Sequence, residues 1–449
     1  MSQPIRLLGA GEALHRLRAG TLRCEELAEA CLAEIAARDE RLNAFAAVEP
    51  SRLLAAARTA DRCPAGSRRP LHGLPLGVKD VIDTADYPTE YGCRAWRGHR
   101  PTRDALCLAN ITAGGALLAG KTVTTEYALR EPAATRNPHD PTRSPGGSSA
   151  GSAVAVATGM TTIALGTQTN ASTIRPASYC GVYGFKPSFG LIPRSGVAEI
   201  APTLDTVGVF SRDPEGVAIG AACAAGVDPD NPEAGGHPLA GILRALGAGP
   251  TRRWRVGVVR ADWDRLDPCW HPVLETFLGW LGRRATVREL TPAPGFADIH
   301  EHHMVLQDAG TAAALRDPYR RRPADFSRSL QETIERGRGI DADRITEALD
   351  SQRRMRAAID RMLGTVDVAV TAAAVGVAPT PETTGDPIMS TPWTFSGVPA
   401  LSVPQFHGPG GLPLGLQVIA PDGGDPAVLG FAAFLRAESR RDGGNSAVA

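Results

Sequence analysis

Apolar positions recur with two different periods along the chain, and the switches between them mark out alternating helices and strands. Leu22, Leu27, Cys31, Leu32 and Ile35 share one face of a helix spanning residues 22–38, with Thr21 as its N-cap. Residues 51–62 read as a second helix. Leu76–Ile82 reads as a short buried strand, residues 104–119 as a helix closing at Gly120, and Lys121 as the start of another strand. Ser148–Thr158 predicts a helix of small residues ending at Gly159, and Thr161–Thr167 a strand. Trp254–Val259 and Val366–Val370 read as strands, 296–362 as largely helical, 392–420 as strands broken by Gly and Pro, and 425–438 as a last helix. Residues 226–245, rich in Gly, Pro and Ala, read as a surface excursion. Strands alternating with helices argue for an α/β fold with helices on both faces of a sheet.

One stretch departs from this rhythm. From Ser144 to Ile174 there are 31 residues without a charge, bounded by Arg143 and Arg175. A membrane-spanning helix needs roughly 20 predominantly apolar residues. This run is full of Gly, Ser and Thr, so it reads as the buried centre of a globular fold. The 48 basic and 48 acidic residues cancel, which argues against a general nucleic-acid binder. The N-terminus lacks a basic start followed by an apolar stretch, and the eight cysteines contain no C-x-x-C pair. Free thiols in a reducing, cytoplasmic setting are the expectation.

The basic set is lopsided. Only Lys79, Lys121 and Lys186 are lysines, and the other 45 basic residues are arginine. Solvated positions accept either side chain, whereas a position that needs a compact, deprotonatable amine accepts only lysine. Lys79 lies on the strand at 76–82. The charge-free run supplies two serine clusters, Pro145-Gly-Gly-Ser148-Ser149-Ala-Gly-Ser152 and Gly166-Thr-Gln-Thr-Asn-Ala-Ser172-Thr-Ile-Arg-Pro. The first puts Ser148 and Ser149 at a helix N-terminus. The second ends a strand in a turn whose N–H groups converge, as an oxyanion site requires. A serine hydroxyl needs a base to become a nucleophile, and a desolvated lysine can serve.

Plainer readings stand beside these. Lys79 would pair with Asp80 or Asp83, Ser148 and Ser149 would be helix caps, and Ser172 a turn serine with Thr173 beside it. Gly147-Ser-Ser149-Ala-Gly151 also fits a nucleophile elbow, with His407 downstream. His300-Glu-His302-His303 lacks the i,i+4 pair of a zinc helix and reads as an exposed helical cluster. Lys121 and Lys186 read as structural, capping carbonyls at strand or loop ends.

Together, Gly73-Leu-Pro-Leu-Gly-Val-Lys79-Asp, the two serine clusters, Arg175-Pro-Ala-Ser-Tyr-Cys-Gly-Val-Tyr-Gly-Phe-Lys186-Pro and Gly411-Leu-Pro-Leu-Gly-Leu-Gln417 resemble the amidase signature family. The resemblance is strong over 60–215, moderate over 365–440 and positional over 226–360. It implies one domain over 1–449, with 60–215 and 365–440 as catalytic core and 226–360 as a variable, largely helical substrate side. It also implies an α/β fold built on a large, mixed, mainly parallel sheet flanked by helices. Carried over by position, it makes Lys79 the base, Ser148 the proton relay after a cis peptide bond, and Ser172 the nucleophile. The N–H groups of Thr169, Asn170, Ala171 and Ser172 would form the oxyanion hole. The substrate would be a small amide, with no cofactor, metal, nucleic acid or membrane involved, and homodimerisation is a family expectation.

Two positions depart from the pattern. Asn170-Ala171 stand where the family usually has Gly-Gly, so a turn needing positive φ would be strained. Gln168 and Asn170-Ala171 also differ from the Asp-Thr-Gly-Gly-Ser stretch of the glutaminase subunit of tRNA-dependent amidotransferases, an alternative that requires a partner protein. The Gln-Thr-x-x-Ser-x-Ile-Arg-Pro form resembles the malonamidase branch. There Arg175 would bind a substrate carboxylate bidentately, unless it pairs with an internal acid.

Overall fold

The computed structural model describes residues 4–230 and 253–442. Its strands are β1 (Phe45–Val48), β2 (Pro75–Lys79), β3 (Leu117–Thr122), β4 (Ile163–Gln168), β5 (Tyr183–Lys186), β6 (Thr206–Ser211), β7 (Arg255–Val259), β8 (Thr286–Leu290), β9 (Val368–Ala372), β10 (Ala400–His407) and β11 (Pro413–Ile419). All eleven join one sheet in the order β1-β3-β2-β4-β6-β5-β10-β11-β9-β7-β8. Helices flank this mixed sheet, as expected. It is not mainly parallel, however. Only β3–β2, β2–β4, β9–β7 and β7–β8 run parallel, and the other six pairings are antiparallel. The hairpin β10–β11 and the reversal through β6 and β5 account for most of the difference.

The parallel trio β3–β2–β4 places the chemistry. Val78 pairs with Leu165 and Lys79 with Thr122, so the C-terminal ends of β2 and β4 lie side by side. Ligands in α/β sheets collect outside such carboxyl ends. The helix Ala150–Thr158 leads from the first serine cluster back into β4, and all but one of its residues are buried. This is the charge-free run in its expected place at the centre of the fold.

Several element boundaries shift for identifiable reasons. The first long helix spans Cys24–Leu42 and Thr21 does not cap it. The carboxylate of Asp61 accepts from the N–H groups of Cys24 (2.7 Å) and Glu25 (3.0 Å), while Thr21 donates to the Arg16 carbonyl. The helix expected over 104–119 covers only Leu106–Ala113. Gly115 turns the chain with φ +98°, where a Cβ would meet the His72 backbone at 3.1 Å, and β3 has begun by Leu117. Thr391–Phe395 is a short helix within the segment expected to be strand. The excursion expected at 226–245 lies mostly outside the described residues. Among the described residues no helix is long and apolar enough to cross a membrane, and all eight cysteines are free thiols.

All three lysines are completely buried. Lys121 Nζ donates to the Ile82 carbonyl and to Thr89 Oγ1, and pairs with Asp80 at 3.5 Å. Burial pulls its amine down to about 8 against the attraction of Asp80. Lys186 Nζ donates to the Pro187 carbonyl (3.0 Å), and burial lowers it to about 7. Both are structural carbonyl-binding amines, as their sequence setting suggests. Removing one partner of a buried ion pair leaves the other charge uncompensated. Lys121→Met is therefore expected to cost about 3 kcal/mol in urea unfolding at pH 7, where both partners are charged. Asp80, already raised to about 6 by burial, takes up a proton below that pH. The loss should be smaller at pH 5, and equal losses at both pH values would contradict the pairing.

Candidate active site

β2 ends on Lys79, whose side chain is fully buried yet enters no ion pair among the described residues. Asp80 faces Lys121 instead, and Asp83 accepts from the Tyr91 hydroxyl. Lys79 Nζ lies within hydrogen-bond distance of two hydroxyls, 2.7 Å from Ser148 Oγ and 2.7 Å from Thr167 Oγ1. Desolvation pushes its pKa well below the ordinary lysine value, and Asp205 opposes this only from a distance.

Ser148 and Ser149 precede the helix Ala150–Thr158, and neither acts as a plain cap. Ser149, at the N-cap position, makes no side-chain capping bond. Its hydroxyl donates to the Thr167 carbonyl (3.1 Å) and accepts from the Thr167 N–H (3.3 Å). Gly166 permits this approach, because a Cβ there would lie 2.7 Å from Ser149 Oγ. The elbow alternative loses its nucleophile to this arrangement: Ser149 is fully buried and spent on β4, while His407 is exposed at the end of β10. The Gly147–Ser148 peptide bond is cis.

Ser172 is brought to the same place by the turn after β4. Its carbonyl accepts from the Ser149 N–H (3.3 Å). Its hydroxyl has no hydrogen-bond partner among the described residues, and the residue as a whole keeps 8% exposure. The N–H groups of Thr169, Asn170, Ala171 and Ser172 likewise have no acceptor among the described residues. Neither Asn170 nor Ala171 has positive φ, so the strain expected from replacing glycine does not arise.

The turn is braced from three sides. Asp205 accepts from Thr169 Oγ1 (2.6 Å) and from the Ile200 and Ala201 N–H groups. Gln168 Oε1 accepts from the N–H groups of Thr173 (2.8 Å) and Ile174 (3.0 Å), spanning the turn and closing the start of the helix Ile174–Cys180. His303 is fully buried, and its Nε2–H donates to the Thr169 carbonyl (2.8 Å). Burial drives its pKa to about 4, so it is neutral. The expected exposed histidine cluster is thus divided: His300 faces Asp262 while His303 enters the site wall. A cavity of about 320 Å³ adjoins the site, lined in part by Thr167, Thr169, Asp205 and Ile200.

Arg175 is engaged within the protein. It is buried, and its guanidinium donates to the carbonyls of Gly385 (2.7 Å) and Gly147 (2.8 Å) and to Thr384 Oγ1 (3.1 Å). No internal acid lies within ion-pair distance of it among the described residues. The guanidinium ties the Gly147–Ser148 loop to the 384–385 segment.

A hydroxyl held against a desolvated amine, beside a turn of unengaged amides, is equipment for opening an amide bond. The protein is an amidohydrolase. The Amidase family model matches residues 26–429, and the chain belongs to that family. A glutamyl-tRNA(Gln) amidotransferase subunit from Chloroflexus aggregans is 33% identical over 443 residues, covering 90% of each chain. The corresponding subunit from Anaeromyxobacter sp. strain K is 41% identical over 264 residues, but that match spans 57% of this chain and only 53% of the relative. The native peptide amidase from Stenotrophomonas maltophilia superimposes with a TM-score of 0.85 at 28% identity, covering 97% of this chain and 98% of that one.

Unsatisfied buried carbonyls cost roughly 1–3 kcal/mol each. Arg175→Ala should therefore lower stability by about 3 kcal/mol in urea unfolding, on the same bookkeeping. It should reduce turnover of acidic and neutral amides by the same factor, and a loss confined to acidic amides would restore the carboxylate-binding role.

Proposed function

We propose that the chain hydrolyses a carboxamide through a seryl acyl-enzyme, with Lys79 as base, Ser148 as relay and Ser172 as nucleophile. The observation that carries this is the 2.7 Å contact between Ser148 Oγ and a buried lysine that lacks a counter-ion. A neutral Nζ offers its lone pair to the Ser148 hydroxyl while donating to Thr167. As Ser148 gives up its proton to Lys79, it takes the proton of Ser172 Oγ, which attacks the carbonyl carbon. The C–O bond forms, and the carbonyl oxygen takes the negative charge within reach of the amides of 169–172. Collapse breaks the C–N bond. The proton held on Lys79 returns through Ser148 to the departing amine. Water, deprotonated along the same path, then opens the Ser172 ester and releases the acid. In this reading Arg175 is a positioning residue for the relay loop.

A second reading is favoured by the amidotransferase relatives: glutamine as the amide and a tRNA-dependent amidotransferase partner. Gln168 and Asn170-Ala171 set this chain's nucleophile turn apart from the Asp-Thr-Gly-Gly form. Glutaminase activity that emerges only on adding such partner proteins would favour this reading.

General acid–base groups contribute about 10²–10⁴-fold to rate. Lys79→Arg and Lys79→Ala should both reduce amide hydrolysis by about 10³-fold, since a guanidinium stays protonated. In the wild type, kcat/KM should rise with pH as Lys79 loses its proton and then level off well below the ordinary lysine range. An active Lys79→Arg enzyme would overturn the assignment.

A further inference from the structure

Gln168, which sets the nucleophile turn apart from the glutaminase form, and Asn170, which stands at a glycine position, are both hydrogen-bonded to the helix Thr391–Phe395. Thr394 Oγ1 donates to the Asn170 carbonyl (2.5 Å) and accepts from Gln168 Nε2 (2.9 Å). A carboxylate at 168 would have no N–H to give. Thr391 Oγ1 donates to Asn170 Oδ1 (2.7 Å), with the Pro387 carbonyl as a weaker second acceptor (3.1 Å). Asn170 Nδ2 in turn reaches the unprotonated Nδ1 of His303 at 3.5 Å, and His303 Nε2–H holds the Thr169 carbonyl. Both carbonyls and the Asn170 side-chain amide are thus engaged, while the backbone N–H groups of 169–172 have no acceptor among the described residues.

We infer that His303, Thr391 and Thr394 form a clamp on the Asn170 turn and are positioning residues for the oxyanion site. The side chain at 170 supplies a restraint that a glycine there would lack. The clamp is built by two helices, Ile299–Ala314 and Thr391–Phe395. The inference rests on the acyl-enzyme reading above, in which the amides of 169–172 receive the oxyanion. Displacing such donors costs roughly 10²–10³-fold when one is lost outright, and a loosened turn should cost less.

The test uses a fluorophosphonate probe, whose phosphoryl oxygen would occupy the oxyanion site, and reads the second-order rate of labelling at Ser172. Thr391→Val should slow labelling about tenfold, a fraction of the outright loss, and Thr391→Ser should restore the wild-type rate. In an Asn170→Gly background, Thr391→Val should change the rate less than twofold, because its partner side chain is gone. His303→Ala should slow labelling in the wild type without moving the acid limb of the pH–rate profile, since a neutral histidine that only positions does not titrate there. Unfolding midpoints of all variants separate a misfolded protein from a loosened turn. If Thr391→Val labels at the wild-type rate, or slows labelling equally in both backgrounds, the clamp is wrong while the acyl-enzyme reading stands. If the wild type does not label at Ser172, the reading and the clamp fall together.

Discussion

Lys79 brings an amine into the centre of the protein with no solvent exposure and no carboxylate within ion-pair distance among the described residues. An isolated buried charge is expensive, and a lysine meets that cost by giving up its proton. The neighbours suit the neutral form: two hydroxyl oxygens at 2.7 Å, each able to donate or accept. Lys121, by contrast, is held by a carbonyl and Asp80, which suit an ammonium. The same residue type thus does opposite electrostatic work on adjacent strands. Among 48 basic residues only three are lysine, and all three are completely buried.

The sheet makes this environment rigid. Lys79 and Thr167 project from the ends of parallel neighbours β2 and β4, so their separation follows from strand spacing. Ser149 fastens the first serine cluster to the β4 backbone, and Arg175 fastens the preceding Gly147 carbonyl to the far side of the site. The turn at 169–172, like the 144–149 loop before the helix Ala150–Thr158, lacks regular structure. It is the part held by side chains from distant elements: Asp205 before β6, His303, and Thr391 and Thr394.

Much of this is legible in the chain. The lysine count, the charge-free run and the two serine clusters locate the relay and the turn, because each reflects a local requirement for small size, neutrality or a deprotonatable group. What the chain does not show is long-range. Arg175 reads as available to a substrate because sequence spacing cannot reveal the Gly147 and Gly385 carbonyls that occupy it. His303 reads as part of an exposed cluster, although Ile299, His303 and Leu306 follow a buried helical stripe that could flag it. The strain expected at Asn170-Ala171 presupposes positive φ, and the turn instead keeps negative φ with side-chain support. The antiparallel majority of the sheet is hidden because strand direction depends on which strands become neighbours, and the order in the sheet departs from the order in the chain.

With only three lysines, the protonation state of each amine is open to direct observation. Protein labelled with ¹³C,¹⁵N-lysine gives three side-chain amine signals, assignable from single Lys→Met variants. Following the Cε shifts with pH reads each amine separately. Lys79 is expected to titrate well below the ordinary value of about 10.4, with a midpoint matching the acid limb of kcat/KM. A Lys79 signal that titrates near about 10.4 would show a charged amine at neutral pH and contradict its role as the base.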